Sequence, residues 1–296
     1  MRSGLLSRTL RLALFGGGAV LLVAAAGTPM PLPPRFNGFA GLSGKIKVVL
    51  ADAADVPDLK AAGFAVNEPG VYPVRAVARP PDDLALVLLT PFGSKVDGRI
   101  GEYVLGNWPE EGGRKTPPSY GCPRGFIKVT KEEMKRPLSD HFVLGDFLTH
   151  GQPSVWPKYE VVDPRLVDKL ELTIAQLEAS GHPVKHMHVM SGFRTPAYNA
   201  QDVGPGARSA ISRHMYGDAA DVYPDDDGND LLDDLNHDGR VDMEDAKILA
   251  RAASAVEKTY PVLAGGIGLY PATKEHGPFV HIDARGKRAR WGGTFE

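Results

Sequence analysis

Short runs of apolar and β-branched residues alternate with polar turn clusters in the first half of the chain. The runs KIKVVL, VYPVRAVA, LALVLLTPF and IGEYVLG lie between residues 44 and 130 and are separated by Gly, Pro and Asp residues. Runs of this length and composition are typical of short strands. They predict a small β-rich domain over residues 44–130.

A helical pattern follows in the second half. Apolar residues recur there at every third or fourth position, at Leu166, Leu170, Ile174 and Leu177. This spacing places them on one face of a helix. Asp163 before Pro164 is a typical helix start, and Gly181 is a typical end. We expect this helix to pack on a sheet.

Two apolar segments of the second half predict buried strands. KHMHVMSGF begins at Lys185, and FVHID covers residues 279–283. Successive side chains of a strand point to opposite faces, so His281 shares a face with Phe279 and Asp283. His186 and His188 likewise share a face of the first strand. We expect them to be packing groups rather than metal ligands.

The first residues of the chain have the pattern of a secretory signal peptide. Arg2, Arg8 and Arg11 precede an apolar run over residues 12–26 that ends in three alanines, as signal peptidase requires. The run is shorter than the roughly 20 residues of a membrane-spanning helix, although an uncleaved anchor stays open. We expect a signal peptide at 1–26 and an exported protein of the periplasm or cell envelope, with membrane contact only if the segment is not cleaved.

The remaining composition is that of an ordinary globular protein. The chain has 296 residues, a net charge of -2 and 43% hydrophobic residues. Its length suggests two domains, after a Pro-rich linker over residues 27–43. The charge offers no basic surface for DNA or RNA, so no nucleic-acid partner is expected.

Cys122 is the single cysteine and cannot form an internal disulfide, so stability must come from the core and from metal.

His214, Asp221 and His281 form a candidate zinc-binding set. Seven residues of straight helix would separate His214 from Asp221 by about 10 Å, which is too far for one ion with bonds of about 2.0–2.2 Å. The chain must therefore fold back between them, and Gly217 permits that bend. Two nitrogens and a carboxylate leave a fourth position for water, as in catalytic zinc sites. Spacing alone is equally compatible with His214 as a loop histidine, Asp221 as a turn cap and His281 as a buried strand histidine.

Several motifs resemble the D-alanyl-D-alanine carboxypeptidase family of zinc metallopeptidases, which includes murein endopeptidases and shares its fold with the hedgehog signalling domain. These motifs are SGFRTPAYN from Ser191, SRHMYGDAADV from Ser212, GGIGLY from Gly265 and the following FVHID, with LSDHFVLGDFL upstream from Leu138. The resemblance covers residues 136–296. It implies an α+β catalytic domain with a central antiparallel sheet and packed helices.

The resemblance also implies roles for individual residues. The zinc ligands fall on His214, Asp221 and His281, and the substrate-contacting arginine falls on Arg194, for which a structural ion pair is the alternative. Many members carry an acidic residue three positions before the last ligand, where this chain has Pro278.

The catalytic base therefore has two candidates. Glu275 lies six positions before His281, where the hedgehog domain also has a glutamate. Asp283 is the competitor, although a carboxylate beside a ligand more often orients that ligand. The implied activity is zinc-dependent hydrolysis of peptidoglycan stem peptides or cross-links, as a D,D-carboxypeptidase or an endopeptidase. A non-catalytic, metal-stabilised cell-wall binding module is the alternative.

A second metal signal, DLNHDGRVDMED, occupies residues 234–245. It fills the positions of an EF-hand calcium loop with Asp234, Asn236, Asp238, the carbonyl of Arg240, Asp242 and Asp245, and it has Gly239 at the sixth position. The aspartate at position 12 and the following helical segment AKILARAASAV resemble a dockerin-type loop. We expect a structural Ca²⁺ site inserted in the peptidase-like domain, with a solvated acidic loop as the alternative. The preceding DDDGNDLLDD adds charge that is hard to fold without a cation.

Overall fold

The computed structural model describes residues 41–74, 84–204 and 208–295. The predicted signal peptide at 1–26 and most of the predicted linker lie outside these residues. In the described ranges, no helix combines the length and the apolar character that crossing a membrane requires.

The described residues up to Glu160 form small sheets. A three-stranded sheet has the order β1-β3-β2, with β1 parallel to β3 and β2 antiparallel to it. A second sheet has the order β4-β7-β8, and β5 and β6 form a hairpin. The elements are β1 (Val48–Ala51), α1 (Val56–Ala61), β2 (Gly70–Pro73), β3 (Ala85–Leu88), β4 (Thr90–Pro91), β5 (Arg99–Ile100), β6 (Tyr103–Val104), β7 (Gly125–Val129) and β8 (Lys158–Glu160).

The second half is built around a five-stranded sheet of order β13-β11-β12-β10-β9. Its pairs are antiparallel except for β11 with β13. The elements are α2 (Pro164–Ala179), β9 (Met187–Ser191), α3 (Pro196–Asn199), β10 (Ala219–Pro224), α4 (Met243–Thr259), β11 (Gly266–Tyr270), β12 (Phe279–Asp283) and β13 (Ala289–Trp291). The chain is therefore a mixed protein of helices and small sheets, which agrees with the predicted α+β class.

The predicted helix is confirmed as α2. The Asp163 side chain accepts a hydrogen bond from the backbone N–H of Arg165 at 2.9 Å, and Pro164 occupies the first turn. Gly181 follows the end of the helix with a φ of 86°, a conformation that favours glycine. The apolar face of α2 packs against α4, and α4 packs on β11 and β12. The two helices thus cover one face of the five-stranded sheet.

One hydrophobic core includes side chains from both halves of the chain. Val48 and Ile127 belong to the same buried cluster as Leu166, Val222 and Ile282. In addition, β7 pairs with β8 across the predicted boundary near residue 130. The division into domains at 44–130 and 136–296 stays a prediction.

Candidate metal centre

Strand pairing brings two of the predicted zinc ligands together. Asp221 of β10 lies directly opposite His281 of β12 in the antiparallel register. Directly opposed residues of a pair point to the same face of the sheet. A carboxylate and an imidazole therefore meet at the middle of the sheet.

The predicted reversal of the chain brings His214, the third predicted ligand, next to the other two. His214 lies in a single 3₁₀ turn, Arg213–Tyr216, and Gly217 follows with a φ of 71°. A side chain at Gly217 would also clash with the carbonyl group of Val161. Only glycine suits both constraints, so the chain folds back and places His214 beside β10.

The three donor atoms form a triangle of the right size for one ion. His281 Nδ1 is 2.9 Å from Asp221 Oδ1, His214 Nε2 is 3.3 Å from the same oxygen, and the two nitrogens are 3.2 Å apart. Tetrahedral zinc with bonds of about 2.0–2.1 Å requires donors about 3.3 Å apart. All three residues are buried, with at most 7% of each exposed. The structure therefore contains a buried His/Asp group that can bind a metal.

Hydrogen bonds on the far side of each ring select the tautomers. His214 Nδ1 donates to the carbonyl oxygen of Gly192 at 2.7 Å, and His281 Nε2 donates to Asp283 Oδ2 at 3.1 Å. The lone pairs of His214 Nε2 and His281 Nδ1 consequently face each other and Asp221. This arrangement is the usual support for histidine ligands of metals.

The charges of the cluster are mutually dependent. Burial lowers the pKa of His214. Burial by itself would raise the pKa of Asp221, but His214 and His281 hold it well below its usual range. Asp221 is therefore an ionised carboxylate, which is the form that binds a metal cation.

Asp283 is part of the scaffold of the site. It is fully buried, and its carboxylate accepts hydrogen bonds from the backbone N–H of Gly266 at 2.8 Å and from Arg285 Nε at 2.8 Å. Burial opposes ionisation, yet the hydrogen bonds from His281 and Arg285 hold the pKa of Asp283 below its usual range. Of its two predicted roles, these contacts support orientation of His281 rather than proton transfer with a substrate.

Arg194 forms an ion pair with Asp221. Its Nη2 donates to Asp221 Oδ2, and its Nε donates to Ser191 Oγ at 2.8 Å. The structural ion pair that was the alternative role of Arg194 is thus present. It holds the Asp221 carboxylate so that Oδ1 faces the two histidines. Arg194 also lines the cleft beside the three donors.

The cleft next to the cluster has a volume of about 500 Å³. Aromatic rings and guanidinium groups line much of it: Tyr120, Tyr270, Phe279, Trp291, Arg194, Arg208, Arg213 and Arg285. The Trp291 ring lies 5.2 Å from the His281 ring. Walls of this kind suit a ligand that has carboxylate groups and apolar side chains.

Of the two predicted bases, Glu275 lies apart from this cleft. It is exposed, its N–H donates to Thr273 Oγ at 3.1 Å, and it is not among the residues that line the cleft. Its neighbour His276 does line the cleft. Sequence reasoning missed His276, although its position five residues before His281 was visible.

The orientation of His276 leaves one nitrogen available. Its Nδ1 donates to the carbonyl oxygen of Gly277 at 2.8 Å, and its ring packs edge-on against Phe279 at 4.9 Å. A carbonyl oxygen only accepts hydrogen bonds, so Nδ1 carries a proton, and Nε2 makes no hydrogen bond within the described ranges. His276 therefore contributes an imidazole to the cleft wall.

The predicted calcium loop has the turn of an EF-hand. The Asp234 carboxylate accepts the N–H groups of Asp238 at 3.2 Å and of Gly239 at 2.8 Å. Gly239 has a φ of 85°, as the sharp turn at the sixth position requires. Asp242 then begins α4 as its N-cap.

The ligand side chains of this loop are not gathered into a tight group. Asp245 is fully buried and accepts the N–H groups of Leu235 and Asp242, both at 2.9 Å. Within the described ranges, the groups of three acidic or histidine donors within 4.8 Å of one another lie elsewhere. Calcium binding at residues 234–245 stays a prediction.

Comparisons of the chain with family models, with curated proteins and with solved structures find no match.

Proposed function

We propose that this protein is a zinc-dependent peptidase whose metal is held by His214, Asp221 and His281. The observation that carries the proposal is the buried triangle of donor atoms, with sides of 2.9, 3.2 and 3.3 Å, beside an open cleft. Two imidazole nitrogens and one carboxylate are a donor set of catalytic zinc sites, which keep a fourth position for water.

A zinc ion bound there would supply an activated water and polarise the scissile carbonyl group of a peptide. The chain's own residues would do the rest. His276 Nε2 would take a proton from the attacking water and pass it to the leaving amine, the work for which a histidine is well suited near neutral pH. Glu275 stays the alternative base, and would have to turn into the cleft to act.

Arg194 would have a double role in this reaction. Its bond to Asp221 Oδ2 keeps the ligand carboxylate in place, while its guanidinium group borders the cleft. A planar guanidinium with several donors suits a substrate carboxylate or a developing oxyanion. Asp283 would keep His281 oriented without touching the substrate.

We propose peptidoglycan stem peptides or their cross-links as the substrate. Three considerations support this choice: the cationic and aromatic cleft, the resemblance of the motifs to D-alanyl-D-alanine carboxypeptidases, and the predicted export to the periplasm or cell envelope. Stem peptides carry free carboxylates, which the arginines of the cleft would bind.

A non-catalytic, metal-stabilised module that binds the cell wall is the second candidate. Pro278 replaces the acidic residue of the family pattern, and Glu275 lies outside the cleft lining. These two features favour the second candidate, whereas the imidazole of His276 in the cleft favours the enzyme.

Digestion of purified, cross-linked peptidoglycan by the zinc-loaded protein separates the two candidates. Mass spectrometry of the released muropeptides is the measurement, with chelated protein and the His214→Ala variant as controls. Metal-dependent loss of cross-linked dimers identifies an endopeptidase, and loss of terminal D-Ala alone identifies a carboxypeptidase. A folded, zinc-bound protein that releases no product but sediments with peptidoglycan would support the binding module instead.

A further inference from the structure

A second group of histidine and aspartate side chains lies at the other end of the β9–β10 pair. His188, Asp225 and Asp230 each offer a ligand atom, and these atoms lie within 4.8 Å of one another. His188 is opposite Tyr223 in the strand register, and the two rings stack with centroids 4.8 Å apart. The imidazole is therefore held in a fixed place beside the two carboxylates.

The three side chains converge without bonding to each other. In the described part of the chain, the ring nitrogens of His188 and the carboxylate of Asp230 make no hydrogen bond. Asp225 is only 3% exposed, and its two oxygens accept the N–H groups of Asn229 at 3.0 Å and of Asp230 at 3.1 Å. These bonds aim the buried carboxylate but leave lone pairs free, since each oxygen can accept more than one contact.

A bound cation would balance the carboxylates of Asp225 and Asp230. No lysine or arginine among the described residues forms an ion pair with Asp225 or Asp230. The donor atoms of the two carboxylates lie within 4.8 Å of each other, and Asp225 is buried without a cationic partner in the described ranges. A divalent ion between them would balance the negative charge of both carboxylates. His188 adds an imidazole nitrogen, so the donor set is not made of carboxylates alone.

We propose that His188, Asp225 and Asp230 form a second metal site, for a divalent ion of the zinc type. Imidazole nitrogen favours zinc and similar transition metals over calcium, which prefers oxygen donors alone. Asp221 and Asp225 are four residues apart, which corresponds to about 13 Å along a strand. The second ion is therefore separate from the one proposed at His214, Asp221 and His281.

His186, the residue before β9, and His188 of β9 differ in this respect, although the sequence predicted the same packing role for both. His188 lies against the two carboxylates, whereas His186 is exposed and does not belong to the group. His186 is thus a matched control two residues before His188. The proposal does not depend on peptidase activity, because it concerns metal content alone.

Equilibrium dialysis of the full chain against Zn²⁺, with excess Ca²⁺ to fill oxygen-only sites, tests the proposal by elemental analysis. We expect two bound zinc ions in the unmodified protein and in His186→Ala, and one in His188→Ala. His214→Ala should also retain one, and the double variant His188→Ala/His214→Ala should retain none.

Asp230→Asn provides a second variant, because Asp230 is exposed and its replacement leaves the buried carboxylate in place. It should weaken the same zinc equivalent that His188→Ala removes. Zinc content that is unchanged in both folded variants, or a loss of the same size in His186→Ala, would overturn the proposal. Circular dichroism of each variant establishes that it is folded. If His188→Ala does not fold, the zinc content of Asp230→Asn decides the test.

Discussion

Asp221 lies directly opposite His281 in the pairing of β10 with β12, and its Oδ1 is 2.9 Å from His281 Nδ1. The contact follows from strand register, because a slip of one residue would turn one of the two side chains to the opposite face. Both residues belong to inner strands of the five-stranded sheet, so a metal ion bound between them would be held rigidly. Loss of either ligand should therefore affect metal binding more than folding.

Replacement of His281 tests this expectation. His281→Ala removes one of the three donors, so we expect loss of zinc from this site and of any peptidase activity that depends on the activated water. Competition with a chromophoric chelator measures the affinity. His186→Ala is the control and should bind zinc at this site like the unmodified protein. Full zinc affinity in a folded His281→Ala protein would contradict the ligand assignment.

Asp283 should control zinc affinity without being a ligand. Asp283→Asn keeps an oxygen for His281 Nε2 but removes the charge that orients the ring and raises its basicity. Changes of this kind typically cost about 10–100-fold in metal affinity. We therefore expect zinc to bind more weakly than in the unmodified protein, but with the same stoichiometry at this site. Complete loss of that zinc would show that Asp283 itself binds the ion or is required for folding.

The neighbouring residues Glu275 and His276 allow a direct comparison of the two candidate bases. We expect His276→Gln to retain zinc and lower kcat by about 10²–10⁴-fold, the usual contribution of a general base. Glu275→Gln should change kcat little, because its side chain lies outside the cleft lining. Muropeptide release at saturating substrate is the measurement. The reverse result, with Glu275→Gln the impaired variant, would return the role of base to Glu275.

The sequence predicts what depends on local pattern. The caps of α2, the strand FVHID and the reversal at Gly217 follow from residue types and spacing, and the structure confirms them. The position of His276 depends on the path of the loop between β11 and β12, which has no local signal. The meeting of His188 with Asp225 depends in the same way on the pairing of β9 with β10. Sequence periodicity places such residues on a face but does not select their partners.

The predicted calcium binding at residues 234–245 would have a thermal consequence. A ligand that binds only the folded state at about 100 times its Kd stabilises it by about 2.7 kcal/mol. We therefore expect Ca²⁺ to raise the Tm of the protein, and Asp238→Ala to remove most of that increase. Scanning calorimetry with and without Ca²⁺ is the measurement. Glu244→Ala is the control, because Glu244 occupies a position of the loop that supplies no predicted ligand and pairs with Lys247 instead. An equal Ca²⁺ response in both variants would contradict a site at residues 234–245.

Glu160 provides a test of stability that is independent of any metal. Its carboxylate is fully buried in β8, and neither oxygen has a hydrogen-bond partner within the described ranges. Burial raises the pKa of Glu160 well above its usual value, and the nearby charge of Asp146 adds to the effect. The folded protein therefore holds Glu160 protonated at pH values where the unfolded chain has it ionised.

The sign of the pH dependence follows from that difference. Because the folded pKa is raised, the contribution of Glu160 to stability is most favourable below about pH 4.3, the unfolded pKa, and is lost as the pH rises towards the folded value. Glu160→Gln removes the titration while keeping the shape of the side chain. We expect the variant to be more stable than the unmodified protein at pH 7 and the difference to shrink towards pH 4. Urea denaturation at several pH values measures it, and Glu178→Gln, an exposed glutamate of α2, is the control. A difference that grows as the pH falls would mean that Glu160 is ionised in the folded protein and has a cationic partner.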